Sequence, residues 1–152
     1  MNGTHYRGWR FSLSGTRANG EGAGLHLSAQ GGVSMVEGRD SVRQAILLLL
    51  ATAPGERVMR PEYGCSLHHL LFAPNDDTTA GLAIHYVRRA LERWEPRIAV
   101  VSLDAGRSPT HPEQLDIALA YRVRATGRVE PLTLSLDLTG GGRHVADGTE
   151  PR

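Results

Sequence analysis

Acidic and basic side chains stand next to each other at two points where the chain interrupts a helical pattern. The first point carries Pro54-Gly55-Glu56-Arg57 and runs on to Arg60-Pro61-Glu62-Tyr63-Gly64. The second carries Trp94-Glu95-Pro96-Arg97. Guanidinium groups pair with carboxylates through two parallel hydrogen bonds, and an adjacent proline restricts the backbone that holds the two side chains. These motifs therefore predict preorganised ion pairs, formed either within the chain or across an interface.

The same carboxylates are poor candidates for catalysis. A glycoside hydrolase needs two carboxylates roughly 5–9.5 Å apart across a cleft, and Glu56, Glu62 and Glu95 are the candidates that lie in a motif. Each has an arginine within two residues, which favours the ionised form over the protonated form that a general acid requires. The sequence also lacks a glycine-rich phosphate loop, a nucleophile elbow and a dinucleotide fingerprint. We predict no enzymatic activity and no cofactor.

Cys65, His68 and His69 form the one cluster of metal-ligating residue types. On a helical turn Cys65 would share a face with one of the histidines, but zinc needs four ligands, or three and a water, and His85 and His111 are merely available. A buried cysteine beside two exposed or interface histidines explains the cluster more simply. We predict no metal site, and a single cysteine excludes an intrachain disulfide.

Composition limits the chain to one domain with tails. It has 152 residues and a formal net charge of +1, which requires neither a nucleic acid nor an anionic membrane as partner. The longest apolar run, residues 45–51, is far shorter than the roughly 20 residues of a membrane span. The first residues do not have the charged-then-apolar pattern of a secretion signal, so we expect synthesis in the cytoplasm.

The two ends of the chain differ from its centre. Residues 1–37 are rich in glycine and poor in large apolar groups, which predicts a β-like arm that is either a hairpin laid on the domain or an extension that orders on a partner. Residues 140–152 carry no core signal and are expected to be disordered. The folded domain is predicted at residues 38–139.

Two segments carry apolar residues at helical spacing. The first has Asp40 or Ser41 as its predicted N-cap and is stopped by Pro54, while the second begins with capping residues around Asp76 and is stopped by Pro96. The chain between these helices is predicted to form a short strand and then one or two helical turns, at residues 57–59 and 66–72.

After Arg97 the apolar period changes from helical to alternating, which predicts three strands. In the first strand the alternation sets Leu103 on the face opposite Ile98 and Val100. Short, turn-rich connections favour antiparallel neighbours. The predicted fold class is α+β, with helices packed on one face of a small antiparallel sheet.

The order and spacing of these motifs resemble those of the baseplate wedge, or sheath-initiator, family of contractile phage tails. Relatives of that family include the TssE component of type VI secretion and equivalents in extracellular contractile injection systems. The resemblance runs from about residue 40 to about residue 138. It covers both motifs, the Leu71-Phe72 segment, the long helix and the three strands.

The resemblance implies a structural protein of a phage tail-like particle. Such a protein joins the wedge core of the baseplate to the first sheath ring and templates sheath assembly by strand exchange, in sixfold copies, with hub or inner tube proteins as further neighbours. Glu95, Pro96 and Arg97 would engage the helical core bundle of the wedge, while Glu56 and Arg57 are predicted to brace the turn. The predicted partner-binding residues are Glu95, Pro96, Arg97, Glu56, Arg57 and Arg60.

Two other functions remain open at this level. The fold is also known among small anti-adaptor proteins that block a proteolysis adaptor, so a regulatory binding module is one alternative. A lysozyme-like glycoside hydrolase is the other. The intact motifs favour the baseplate protein, while the kind of contractile system stays open.

Overall fold

The computed structural model describes residues 35–140 and three short strands that precede them. Strand β1 (Arg7–Trp9) pairs antiparallel with β4 (Met35–Glu37), and β2 (Phe11–Ser12) pairs antiparallel with β3 (Gly24–Leu25). Both β1 and β4 contact the first helix. This pairing corresponds to the hairpin alternative for the arm, while the rest of the arm and the tail from residue 141 lie outside the described residues.

Helix α1 spans Arg39–Ala51 and buries the predicted apolar stripe. Its N-cap is Gly38, with a φ of 60°, so the prediction of Asp40 or Ser41 as the cap is wrong. A glycine reaches this positive φ without steric cost, which lets the helix begin before the capping residues. Asp40 instead lies in the first turn, where a negative charge is favourable.

The segment between the helices forms turns and a short 3₁₀ helix. The predicted strand at residues 57–59 is wrong, because this part of the chain closes on itself as a loop and has no strand partner. The 3₁₀ helix (Ser66–Leu70) buries Leu67 and Leu70, which confirms the predicted helical turns.

Helix α2 spans Asp77–Trp94 and confirms the second helical prediction. The side chain of Asp76 caps it by accepting a hydrogen bond from the N–H of Thr79 at 2.9 Å, and this bond lowers the pKa of Asp76. The helix ends at Trp94 because Pro96 restricts the residue before it and cannot continue the hydrogen-bond pattern.

The three predicted strands form one antiparallel sheet in the order β5-β6-β7. Strand β5 spans Ile98–Arg107, β6 spans Gln114–Val123 and β7 spans Val129–Asp137. Helix α2 packs on β5, and the core lies between the helices and one face of the sheet. The α+β fold class is confirmed.

One strand departs from simple alternation. The β5–β6 register shifts between Val100 and Ser102, so that Val101 is an extra residue and is 50 % exposed. After this β-bulge Leu103 returns to the core-facing side with Ile98 and Val100, so its predicted placement on the opposite face is wrong.

Candidate assembly interface

Glu95 and Arg97 form a closed ion pair at the end of α2. Nε of Arg97 donates to Oε1 of Glu95 at 2.6 Å, and Nη2 donates to Oε2 at 2.8 Å. Glu95 is 5 % exposed, whereas the Arg97 side chain is partly exposed. The ion pair therefore forms within the chain, which is one of the two predicted alternatives. Pro96, between them, is exposed.

The backbone around the pair is tied to the sheet. The N–H of Glu95 donates to the carbonyl oxygen of Leu91 at 3.0 Å, which completes the last turn of α2. The N–H of Arg124, just past the end of β6, donates to the carbonyl oxygen of Arg97 at 2.9 Å. The ion pair thus lies at a corner that is fixed by α2 on one side and by β5 and β6 on the other.

The first motif forms a braced loop. Oε2 of Glu56 accepts the N–H of Ala53 at 3.1 Å, and the N–H of Gly55 donates to the carbonyl oxygen of Pro61 at 2.6 Å. These bonds close the base of the loop, as predicted for Glu56. Gly64 has a φ of 137°, and a Cβ there would lie 2.5 Å from the carbonyl oxygen of Thr52, so only glycine fits.

Two aromatic rings join the motifs. The rings of Tyr63 and Trp94 meet edge to face with centroids 5.5 Å apart. The guanidinium of Arg57 lies 4.4 Å from the Tyr63 centroid, and that of Arg93 lies 4.9 Å from the Trp94 centroid. Arg93 also pairs with Glu62 in an exposed ion pair. The loop and the helix end are therefore parts of one surface.

The electrostatic surroundings of Tyr63 show the same convergence. Burial raises the pKa of Tyr63, and the negative charge of Glu95 raises it further, whereas Arg57, Arg97 and Arg60 act in the opposite direction. Five of the six predicted partner-binding residues are thus close neighbours of one ring or of each other, and Glu56 supports the loop that carries two of them. Glu56, Arg57 and Arg60 are themselves exposed.

Sequence reasoning did not assign a role to Tyr63 or Trp94, although both stand inside the quoted motifs. Their aromatic type next to turn-forming proline and glycine residues was the available signal, because amphipathic aromatics often serve as contacts between elements. A further unpredicted feature is Phe72, which has a φ of 66° and an exposed ring that lies against Gly140. A bulky residue in this conformation is strained, which marks a constrained position.

The cysteine–histidine cluster does not form a metal site in the described part of the chain. No group of three or more His, Cys, Asp or Glu side chains is placed there to hold a metal ion. Cys65 is buried, and burial raises its pKa to about 11, which disfavours the reactive thiolate. His69 is exposed, and His68 is half-buried.

The sheet has two edge strands, β5 and β7. Each pairs with β6 on one side and, among the described residues, with no strand on its other side. Two backbone hydrogen bonds, one at each end of the β6–β7 pair, show which residues of β7 face β6. The N–H of Val123 donates to the carbonyl oxygen of Arg128, and the N–H of Leu138 donates to that of Glu113, so the even-numbered positions on the β7 side bond to β6. Because inward and outward groups alternate along an antiparallel strand, the backbone groups of odd-numbered residues in β7 point away from β6.

Fold and surface together define a small α+β protein whose described residues form a fixed, charged corner at the end of α2. The family model of baseplate wedge protein gp25 matches residues 36–128. The chain therefore belongs to the baseplate wedge protein gp25 family. None of the helices within the described residues combines the length and apolarity of a membrane span.

Individual relatives agree with this assignment. Baseplate wedge protein gp25 of Enterobacteria phage T4 is 33 % identical over 66 residues, which are 43 % of this chain and 50 % of the phage protein. The chain thus matches half the length of that relative.

Two solved structures share the fold. A Geobacter sulfurreducens protein, provisionally described as a tail lysozyme, is 37 % identical with a TM-score of 0.62 over 68 % of this chain and 93 % of its own. A chain in the baseplate of the anti-feeding prophage has a TM-score of 0.60 at 21 % identity, over 89 % of this chain and 87 % of its own.

Proposed function

We propose that this protein joins the wedge core of a contractile baseplate to the first sheath ring and starts sheath assembly by strand exchange. The observation that carries the proposal is the convergence of the two motifs around Tyr63 and Trp94, which makes one fixed surface from the loop and the end of α2. Such a surface suits assembly, because a preorganised interface loses little conformational entropy on binding.

The wedge-binding part of this surface is residues 95–97 with Arg57 and Arg60. Pro96 is exposed between Glu95 and Arg97, whose side chains are fixed by their ion pair. A helical bundle of the wedge would therefore bind a surface that already has its bound conformation. Exposed Arg57 and Arg60 add positive charge beside it. Ion pairs at interfaces contribute mainly to specificity, which fits a site that must select one position in a baseplate.

The sheath-binding part is the edge of β7 after Pro131, which pairs with no further strand among the described residues. Position 131 is odd-numbered, so its backbone nitrogen faces away from β6. The N–H that proline lacks is therefore not needed for pairing with β6, and the β6–β7 ladder is continuous. Beyond Pro131, the odd residues Thr133 and Ser135 again have an N–H. An incoming strand could pair with this stretch by β-augmentation.

An apolar cleft runs beside the same stretch of β7. It is lined by the C-terminal end of α1, by residues of the 3₁₀ segment and by Leu134 and Leu136. Alternate side chains of an added strand would point toward the helices and could fill this cleft. The strained Phe72 is fixed nearby, since its N–H donates to the carbonyl oxygen of Leu138 at 2.6 Å. These features favour β7 over β5, where Asp104 accepts the N–H of Ala105 at 2.9 Å.

The candidate carboxylates are engaged in structural contacts, which supports a non-enzymatic role. Both oxygens of Glu95 accept from Arg97, Glu62 pairs with Arg93, and Glu56 accepts from the backbone of Ala53. We therefore propose no glycoside hydrolase activity, and purified protein should release no fragments from peptidoglycan. An active preparation that loses activity on Glu95→Gln would contradict this.

The remaining parts of the proposal follow from the family. The protein would be made in the cytoplasm and act in six copies within a tail-like particle, next to wedge, sheath and hub or inner tube proteins. The domain at residues 38–139 would carry both interfaces. The arm at residues 1–37 and the tail at 140–152 would flank it.

Co-purification with the wedge and sheath proteins of the same particle tests the proposal. The Glu95→Gln/Arg97→Met variant should fold but lose the wedge proteins, whereas Glu62→Gln/Arg93→Met, which changes the exposed pair nearby, should retain them. Thr133→Pro should lose the sheath protein, because it removes an outward donor without touching the β6–β7 ladder. Ala105→Pro is its control on the other edge.

Wild-type protein that binds neither partner would refute the proposal. Variants that all bind as wild type would refute the assigned surfaces. Folding of each variant is checked by circular dichroism and thermal melting before binding is measured.

A further inference from the structure

Two adjacent apolar side chains project from the tip of the braced loop. Val58 is 95 % exposed and Met59 is 92 % exposed, which is more than any other large apolar side chain in the described residues. Single exposed apolar residues are ordinary on protein surfaces, but apolar groups that stand together on a protruding segment mark an interaction site.

The loop holds this tip away from the domain. Its base is closed by the bond from Gly55 to Pro61 and by a second bond from the N–H of Tyr63 to the carbonyl oxygen of Arg60 at 3.1 Å. Arg57, directly before the tip, is stacked on the Tyr63 ring. The loop therefore cannot readily fold back to bury Val58 and Met59, and the tip is preorganised for a partner.

Positive charge flanks the tip on both sides. Arg57 precedes it and Arg60 follows it, both are exposed, and among the described residues neither lies within ion-pair distance of a carboxylate. Arginine at the edge of an apolar contact favours a partner whose rim carries carboxylates. The charge pattern thus indicates a binding groove on the partner with carboxylates at its rim, and the two apolar side chains indicate that the floor of this groove is apolar.

A second copy of this chain does not offer an acidic rim at the two grooves near the motifs, among the described residues. The groove beside Trp94 contains one carboxylate, Glu62, against Arg89 and Arg93, and the groove beside Pro96 contains two, Glu92 and Glu95, against Arg88 and Arg124. Neither groove therefore has the excess negative charge that would attract two more arginines. An anionic lipid surface would accept the charge, but two apolar side chains are a small insertion compared with the apolar face of a membrane-bound helix.

We propose that Val58 and Met59 insert into an apolar groove with an acidic rim on a wedge protein of the same baseplate. This contact rests on the proposed function and extends it, because it adds a second anchor beside residues 95–97. The contact of Arg57 with the Tyr63 ring and the edge-to-face contact of Tyr63 with Trp94 link the two anchors, so both meet the partner in a fixed relation.

Titration calorimetry of the full chain with the purified wedge proteins tests this contact. Val58→Ser/Met59→Ser should weaken the dissociation constant at least tenfold without lowering the melting temperature, because both side chains are already in water. Val101→Ser/Val129→Ser, which changes two half-exposed valines on the sheet, should bind as wild type. Arg60→Gln should bind more weakly and depend less on salt concentration than wild type.

The outcomes separate this contact from the proposed function. If Glu95→Gln/Arg97→Met loses the wedge proteins while Val58→Ser/Met59→Ser keeps full affinity, the tip contact is wrong and the proposed function stands. If wild type binds no wedge protein, both fail. Sedimentation with phosphatidylserine vesicles, or self-association, that the tip variant abolishes while wedge binding is unchanged would assign the tip to that other partner and overturn the contact.

Discussion

Replacing Arg97 with methionine removes two hydrogen bonds from a carboxylate that is almost fully buried. The methionine keeps much of the apolar stem of arginine, so the main loss is the charged head. Breaking a buried ion pair from one side costs about 3–5 kcal/mol, because the remaining charge stays desolvated. The Arg97 side chain is 27 % exposed, so water can reach part of the site, and we expect a loss of about 2–4 kcal/mol.

A double-mutant cycle separates the pair from the packing around it. Glu95→Gln alone should cost about 1–2 kcal/mol, since the amide accepts fewer hydrogen bonds from Arg97. The double variant Glu95→Gln/Arg97→Met leaves no buried charge and should be more stable than the sum of the single losses predicts, with a coupling energy of about 1–3 kcal/mol. For comparison, the exposed pair Glu62–Arg93 should couple by less than about 1 kcal/mol.

Urea unfolding of the four proteins at one pH, followed by circular dichroism, measures the cycle. The slopes of the transitions should agree, so that differences in midpoint report stability. If the two single changes add to the double change within about 0.5 kcal/mol, the Glu95–Arg97 pair does not hold the corner and the reasoning fails. The same double variant serves in the binding experiments, because we expect it to fold while lacking the pair.

Three further changes test other parts of the structure. Gly64→Ala should destabilise the fold by about 2–4 kcal/mol in urea unfolding, because its Cβ would clash with the backbone of Thr52 at a positive φ. Burial raises the pKa of Cys65 from its ordinary value of 9.0 to about 11, so the stabilising contribution of the neutral thiol is present below pH 9 and is lost as pH rises toward 11. Cys65→Ala should remove this part of the pH dependence of stability. Labelling of the thiol in the native protein at pH 8 should be slow. The pKa of Asp76 is lowered, so its contribution is present above the ordinary carboxyl pKa and is lost as pH falls through the lower folded value; Asp76→Asn should flatten the acid limb of a stability–pH curve.

Features that depend on nearby residues were predictable from the sequence. The stripe of α2 and its cap at Asp76 follow from spacing and residue type within one helix. The Glu95–Arg97 pair spans two residues, so its formation within the chain was one of the two stated alternatives. Alternation also predicted the three strands. It is most regular in β6, where every second residue from Leu115 to Val123 is buried.

Features that depend on tertiary packing were not. In β5 both Val101 and Leu103 are apolar, so the sequence fits either phase, and only burial against the helices selects the bulge. Tyr63 and Trp94 are 31 residues apart and meet because α2 returns the chain to the loop. The strand predicted at residues 57–59 failed for a related reason, since its apolar residues serve a protruding loop rather than a sheet.

The geometry of the sheet allows the two proposed partners to bind together. The corner at Glu95 and Arg97 lies where β5 begins and β6 ends, whereas the β7 edge from Thr133 onward pairs with the first half of β6. At about 3.3 Å per residue the two surfaces are roughly 15–30 Å apart along the strands. Wedge and sheath proteins should therefore form a ternary complex with this chain, and each should bind with the same affinity in the presence of the other. Mutual exclusion in a competition titration would mean that the two surfaces overlap, and a subunit that joins wedge to sheath could not then use both.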